Sequence, residues 1–170
     1  SACLVGSEMC IRDRFSNNPK KWTYNVDDVR MPYKSTERLK SPVKYKAADG
    51  TTKIWKPNPK GAMRGDVWDF PTLAGKRFEK EKTPHPTQKP ESLIMELIKA
   101  FCPKDGEGHY NGTILDPFHG SGTLGVCCEK LNAEGHHIKW LGIELEQQWC
   151  DIAEQSCLLY TSPSPRDRQK

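Results

Sequence analysis

Ile114-Leu-Asp-Pro-Phe-His-Gly-Ser-Gly-Thr-Leu-Gly125 is the stretch whose reading decides the fold. Ile114 and Leu115 close a short apolar run, which predicts a buried strand. Gly120-Ser-Gly122 is a turn that a bulky side chain would obstruct. From Thr123 onward, Leu124, Val126, Cys127 and Leu131 follow helical spacing. Strand, glycine turn and helix together present backbone N–H groups and a positive helix end to a ligand. The Gly-Lys-Ser/Thr element of a phosphate-binding P-loop is missing.

Working outward, Asn132 to His137 predicts a turn and Ile138 to Leu145 a second buried strand. Glu144 falls at the end of that strand, 22 residues beyond Gly122. In nucleotide-binding α/β units a carboxylate at this separation accepts hydrogen bonds from ribose hydroxyls. A further helix begins at Glu146, with Trp149, Ile152 and Ala153 on its inner face. On the other side, Thr83-Pro-His-Pro-Thr-Gln-Lys-Pro90 is stiffened by its prolines into an extended loop. Pro90 then opens a helix whose apolar stripe is Leu93, Ile94, Leu97, Ile98 and Phe101.

Charge divides the chain. Residues 15–90 carry 17 Lys and Arg against 8 Asp and Glu, whereas residues 91–156 carry 4 against 11. A basic half joined to an acidic half predicts that one end faces nucleic acid. In the basic half, lysines alternate with Trp22, Tyr24, Tyr33, Tyr45 and Trp55, a mixture suited to phosphate contact and apolar packing. Val43-Lys-Tyr45 and Lys53-Ile-Trp55 read as short strands or extended segments. Val67, Trp68 and Phe70 read as a strand ending at Pro71. Trp22 and Trp55 are candidates for a small local core.

The 170 residues carry a formal charge of +4, and no apolar run approaches the ~20 residues of a membrane span. A soluble, cytoplasmic protein of prokaryotic or phage origin is expected. Both ends read as foreign. Leu4–Asp13 and Cys157–Arg166 can be encoded by opposite strands of one DNA segment, which resembles a sequencing-library adapter. Residues 1–14 and 157–170 are therefore expected to be adapter-derived, with native sequence from about Phe15 to about Ser156. Of the cysteines, Cys102, Cys127, Cys128 and Cys150 remain, with no Cys-x-x-Cys pair among them. No metal site is expected.

Taken together, these motifs resemble the DNA N-6 adenine / N-4 cytosine methyltransferase family, in the beta-type order that places the catalytic motif before the cofactor motif. Asp116-Pro-Phe-His-Gly-Ser-Gly-Thr123 is similar to the family's S-adenosylmethionine loop. Gly142-Ile-Glu144 is similar to its ribose-binding strand end, and His85-Pro-Thr-Gln-Lys-Pro90 to its cofactor-flanking motif. Gly65-Asp-Val-Trp68 and Asn25-Val-Asp-Asp-Val-Arg30 also resemble segments preceding the cofactor motif. The resemblance implies an α/β fold, a partial Rossmann-like methyltransferase domain with an irregular basic segment. Residues 15–82 would face DNA and carry target recognition, and residues 83–156 would bind S-adenosyl-L-methionine.

The resemblance also implies roles. Asp116 and Pro117, with Phe118, Gly120, Ser121, Gly122 and Thr123, would hold the amino-acid end of the cofactor. Glu144 would take the ribose, and Thr87 and Lys89 would border the pocket. His119 stands where the family has a small or apolar residue and reads as a passive loop histidine. The implied reaction is methyl transfer to the exocyclic amino group of adenine or cytosine in double-stranded DNA, with a restriction endonuclease as a possible companion. The family's catalytic tetrapeptide, Asp/Asn/Ser-Pro-Pro-aromatic, does not occur in these 170 residues. It is expected upstream of Phe15, so the fragment alone is expected to be inactive. The alternative is a binding module that never had the tetrapeptide.

Overall fold

The computed structural model describes residue 18 and residues 20–35, 37–40, 42–65 and 67–161. The expectations for residues 1–14 and 162–170, and for Asp66 of the Gly65–Trp68 motif, lie outside the described residues. In chain order the elements are a 3-10 turn (Val26–Val29), α1 (Glu37–Lys40), β1 (Val43–Lys46), β2 (Thr52–Trp55), a second 3-10 turn (Lys76–Phe78), α2 (Glu91–Phe101), β3 (Thr113–Asp116), α3 (Thr123–Ala133), β4 (Lys139–Gly142) and α4 (Gln147–Thr161). The fold is α/β.

The parallel unit β3-α3-β4 organises the acidic half. Thr113 lies opposite Lys139 and Asp116 opposite Gly142. The helix between them is the crossover that a parallel pair requires. Leu124, Val126, Cys127, Cys128 and Leu131 bury this helix on most sides, and α2 and α4 pack against it. A helix that is apolar around its circumference belongs inside. Ile98, Cys102, Tyr110 and Ile138 complete the buried cluster, with Ile114 and Trp140 packed on it from the strands.

The opposite face of the two strands is open. Leu115 and Leu141 are each 57% exposed and Ile143 is 52% exposed. This corrects both expected buried strands, the one closed by Ile114 and Leu115 and the one from Ile138 to Leu145. Only Lys139–Gly142 pairs, and Leu145 is fully exposed. A parallel strand is buried on both faces only where helices cover both, and here the helices α2, α3 and α4 leave this face open. The expected boundary after Ser156 falls inside α4, which runs unbroken to Thr161.

The basic half is tied to the end of α2. Asn25 donates its backbone N–H to the Ala100 carbonyl at 2.8 Å, and its side-chain amide to the carbonyls of Lys99 (2.9 Å) and Cys102 (2.7 Å). These bonds satisfy acceptors that a helix C-terminus leaves open. Asp28 accepts from the Tyr110 hydroxyl at 2.6 Å and pairs with Lys104. Strands β1 and β2 form an antiparallel hairpin, as the sequence allows. Trp22 stays half exposed and stacks on Tyr24, which stacks on Phe101. The expected strand at Val67–Phe70 is not formed. Instead the Arg64 guanidinium lies 4.8 Å from the Trp68 ring and 5.6 Å from Phe70, while pairing with Glu96 of α2 at 3.0 Å. The aromatic side chains pack on a cation held by a helix, and the backbone has no strand to join.

Candidate functional site

The loop between β3 and α3 is fixed by the end of β4. Ile143 donates its N–H to the Asp116 carbonyl, and His119 donates its N–H to the Ile143 carbonyl, both at 2.9 Å. Two glycines make the packing possible. Gly122 has φ +86°, and a Cβ there would lie 2.7 Å from the Ala153 Cβ of α4. Gly142 touches the His119 ring so closely that a Cβ would fall 2.3 Å from it. The His119 ring therefore sits above the end of β4, stacked on Trp140 with centroids 5.3 Å apart.

The sequence reads His119 as a passive loop histidine, and the structure packs its ring into the fold. His119 is buried, and both ring nitrogens lack a hydrogen-bond partner among the described residues. Its Nδ1 lies 3.6 Å from the Asp116 carboxylate, an ion-pair distance when the ring is protonated. The His119 ring beside it holds the Asp116 carboxyl below its ordinary value, and the Phe118 N–H, donating at 3.1 Å, works in the same direction.

Glu144 is turned inward. One carboxylate oxygen accepts the Gly120 N–H at 2.8 Å, and the other accepts the N–H groups of Leu145 and Glu146. The amides of Glu146 and Gly120 hold this carboxyl below its ordinary value. Three bonds on a group with about four acceptor positions leave room for a further donor.

A cavity of about 240 Å³ lies in front of the loop. Of the sequence-predicted residues, Asp116, Phe118, Gly120, Ser121, Thr123, Thr87 and Lys89 line it, while Pro117, Gly122 and Glu144 do not. The lining also includes His85, Gln88, Ile94, His119 and Leu124, which sequence reasoning did not select for the site. His85 and Gln88 lie within the Thr83–Pro90 motif, so the signal for them was present. His85 meets Trp149 of α4 edge-on at 4.6 Å. Gln88 accepts the N–H and hydroxyl of Thr83 and donates to the Glu81 carbonyl at 2.8 Å. The loop is thereby folded onto itself and pinned between α4 and the glycine turn.

Charges of both signs meet at this cavity. The Asp116 carboxylate is on one side. Lys89 and the first turn of α3, whose amides a helix leaves without internal acceptors, also line it. A zwitterionic amino-acid group suits such a lining, since its ammonium and carboxylate each meet an opposite charge. Ser121, buried in the loop, adds a hydroxyl. The residues present fit the methionine end of S-adenosylmethionine.

The profile of a family described as DNA methylase matches residues 13–155. The Type II methyltransferase M.HpaI of Haemophilus parainfluenzae is 33% identical over 141 residues, covering 83% of this chain and 35% of the relative. M.ScaI of Streptomyces caespitosus is 36% identical over 151 residues, covering 87% of this chain and 46% of the relative. M1.MboII of Moraxella bovis is 38% identical over 120 residues, covering 69% and 44%. The chain thus spans less than half the length of these relatives. A crystal structure of an M1.HpyAVI-SAM complex is similar over 61% of this chain and 47% of that one, at 25% identity and a TM-score of 0.35.

Proposed function

The chain belongs to the N6/N4 DNA methylase family, and from that premise we propose that it forms part of an enzyme moving a methyl group from S-adenosylmethionine to an amino nitrogen of adenine or cytosine in double-stranded DNA. The observation that carries this reading is the cavity where Asp116, Lys89 and the first turn of α3 meet. When bound, S-adenosylmethionine supplies an activated methyl group. Asp116 would hold the ammonium of its methionine end, and Lys89 with the amides of Thr123 and Leu124 would hold the carboxylate. Glu144 keeps the glycine turn closed and would offer its remaining acceptor position to the ribose.

Residues 83–156 are the cofactor half in this reading, and residues 15–82 face DNA. The target base leaves the helical stack to reach the methyl group, because its amino nitrogen is inaccessible inside a duplex. The setting is the cytoplasm. Among the described residues no helix is long and apolar enough to cross a membrane.

The test is calorimetry of the chain with S-adenosylmethionine and, separately, with NAD. Binding of the first and not the second is expected. Asp116→Ala should weaken it at least about tenfold, since a hydrogen bond to a charged group is worth roughly 1.5–3 kcal/mol. Binding of NAD alone would overturn the reading. Methyl transfer is expected only from a longer chain that includes an Asp/Asn/Ser-Pro-Pro-aromatic segment. Failure of such a well-folded chain to methylate DNA would leave a binding module instead of an enzyme.

A further inference from the structure

We propose that the outer face of the β1–β2 hairpin, carrying Lys44, Lys46, Thr52 and Ile54, is the surface that seats in a groove of double-stranded DNA, an inference that rests on the reading of DNA as the substrate. All eight residues of the two strands are exposed. The register sorts their side chains. Lys44 is opposite Ile54 and Lys46 is opposite Thr52, on one face. Val43 is opposite Trp55 and Tyr45 is opposite Lys53, on the other.

The second face turns toward the rest of the chain. The Trp55 ring meets Tyr33 edge-on at 6.4 Å, and the Tyr33 hydroxyl accepts the Asn58 N–H at 2.8 Å. The first face points away, and it carries two cations and no carboxylate. The nearest acid in sequence, Asp49 in the turn, is already engaged. It accepts the N–H and hydroxyl of Thr51, at 3.0 and 2.6 Å, and lies 3.8 Å from Lys53.

The hairpin's root is held firmly. Met31 and Ala62 exchange backbone hydrogen bonds at 2.9 and 2.7 Å. Arg30 donates to the Gly61 carbonyl at 3.1 Å, and Asp27 pairs with both Arg30 and Lys60. A ribbon of two strands on a fixed root has the width that the major groove of B-DNA admits. Lysines on its face neutralise phosphates whatever the sequence. Threonine hydroxyls meet base edges, and an apolar side chain such as Ile54 meets a thymine methyl. A two-stranded hairpin is marginal in water without cover on a face, and a duplex supplies that cover with complementary charge.

The experiment follows fluorescence anisotropy of a labelled duplex of about three helical turns, with the full chain, across a range of salt. Lys44→Ala/Lys46→Ala should lower the slope of log affinity against log salt by about two, near one per phosphate contact removed. Lys139→Ala, at an exposed lysine of the acidic half outside residues 15–82, should leave the slope unchanged. Ile54→Ala should weaken binding without altering the slope. Circular dichroism confirms that each variant is folded, and calorimetry with S-adenosylmethionine runs in parallel. A Lys44/Lys46 variant with the wild-type slope overturns the assignment, as does loss confined to the Lys139 variant. A chain that binds S-adenosylmethionine but no duplex overturns the hairpin assignment, points to a protein covering this face and leaves the cofactor reading standing. A folded chain that binds neither overturns both.

Discussion

The two strand pairs of this chain have equal length and opposite fates. Strands β1 and β2 are antiparallel, joined by a short turn, and exposed at all eight positions. Strands β3 and β4 are parallel and separated by α3, and each alternates between an exposed and a half-buried residue. The connection makes the difference. A tight turn returns the chain at once and brings nothing to lie on the pair, whereas a parallel return requires a crossover that must itself be buried. The crossover helix gives β3–β4 its core and also sets a glycine turn and a helix N-terminus at the strand ends. One pair therefore builds a cavity and the other a surface.

The comparison breaks most visibly in the core. Leu131→Ala, at a fully buried position of α3, should cost roughly 2–5 kcal/mol. An exposed hairpin change such as Thr52→Ala should stay within about 0.5 kcal/mol. Urea unfolding followed by circular dichroism measures both, and similar losses would show that the hairpin packs as the crossover does.

A pair of glycines sharpens it next. Gly122 and Gly50 both have positive φ, +86° and +77°. A Cβ at Gly122 would collide with Ala153, whereas a Cβ at Gly50, in the hairpin turn, has nothing within 4 Å. Gly50→Ala should cost only the backbone term of about 1–2 kcal/mol. Gly122→Ala should add an overpacking term of about 1–3 kcal/mol and weaken S-adenosylmethionine binding. Equal effects would mean that α4 yields freely to the loop.

Smaller effects come from the seam and from pH. Tyr110→Phe removes the 2.6 Å hydrogen bond to Asp28 and should cost about 1–2 kcal/mol. Asp28 stays paired with Lys104, so the halves should remain docked. Hydrogen exchange at Asn25 tests this. The Asp116 and Glu144 carboxyls are both held below their ordinary values. Groups depressed in the folded state add stability that is full above the unfolded value, near pH 4, and lost as pH falls through the folded values. Cofactor binding should therefore hold steady down to about pH 4 and decline below it. Asp116→Asn, titrated by calorimetry over the same range, should decline less.

Much of the crossover unit is legible in the sequence because its physics is local. Helical spacing from Thr123 marks α3, the apolar pair Ile114-Leu115 marks β3, and the stripe from Leu93 to Phe101 marks α2. Length of pairing is not local. Ile143 and Leu145 look like strand interior by composition, yet Ile143 is half exposed and Leu145 fully exposed. Val67, Trp68 and Phe70 have strand-forming side chains, but Arg64 offers their aromatic rings a better contact. At the site, glycine spacing and the separation of Glu144 locate the loop. They do not reveal that Gly120 would occupy the Glu144 carboxylate, or that His119 would fill the space over Gly142. Those contacts depend on how the end of β4 lies against the loop, which no residue of the loop specifies.

The open apolar face of β3–β4 has a consequence for how the polypeptide behaves in bulk. Leu115 and Leu141 lie side by side on the parallel pair with Ile143 just beyond β4, and Phe118 and Leu145 are almost bare. Such a patch is a contact in search of a counterpart. In concentrated solution it should draw molecules into reversible clusters, seen as light scattering that rises with concentration, and it should light up a dye that fluoresces on apolar surfaces. The hairpin's lysines repel one another and resist that clustering, so lowering salt should disperse the clusters and raising it should restore them.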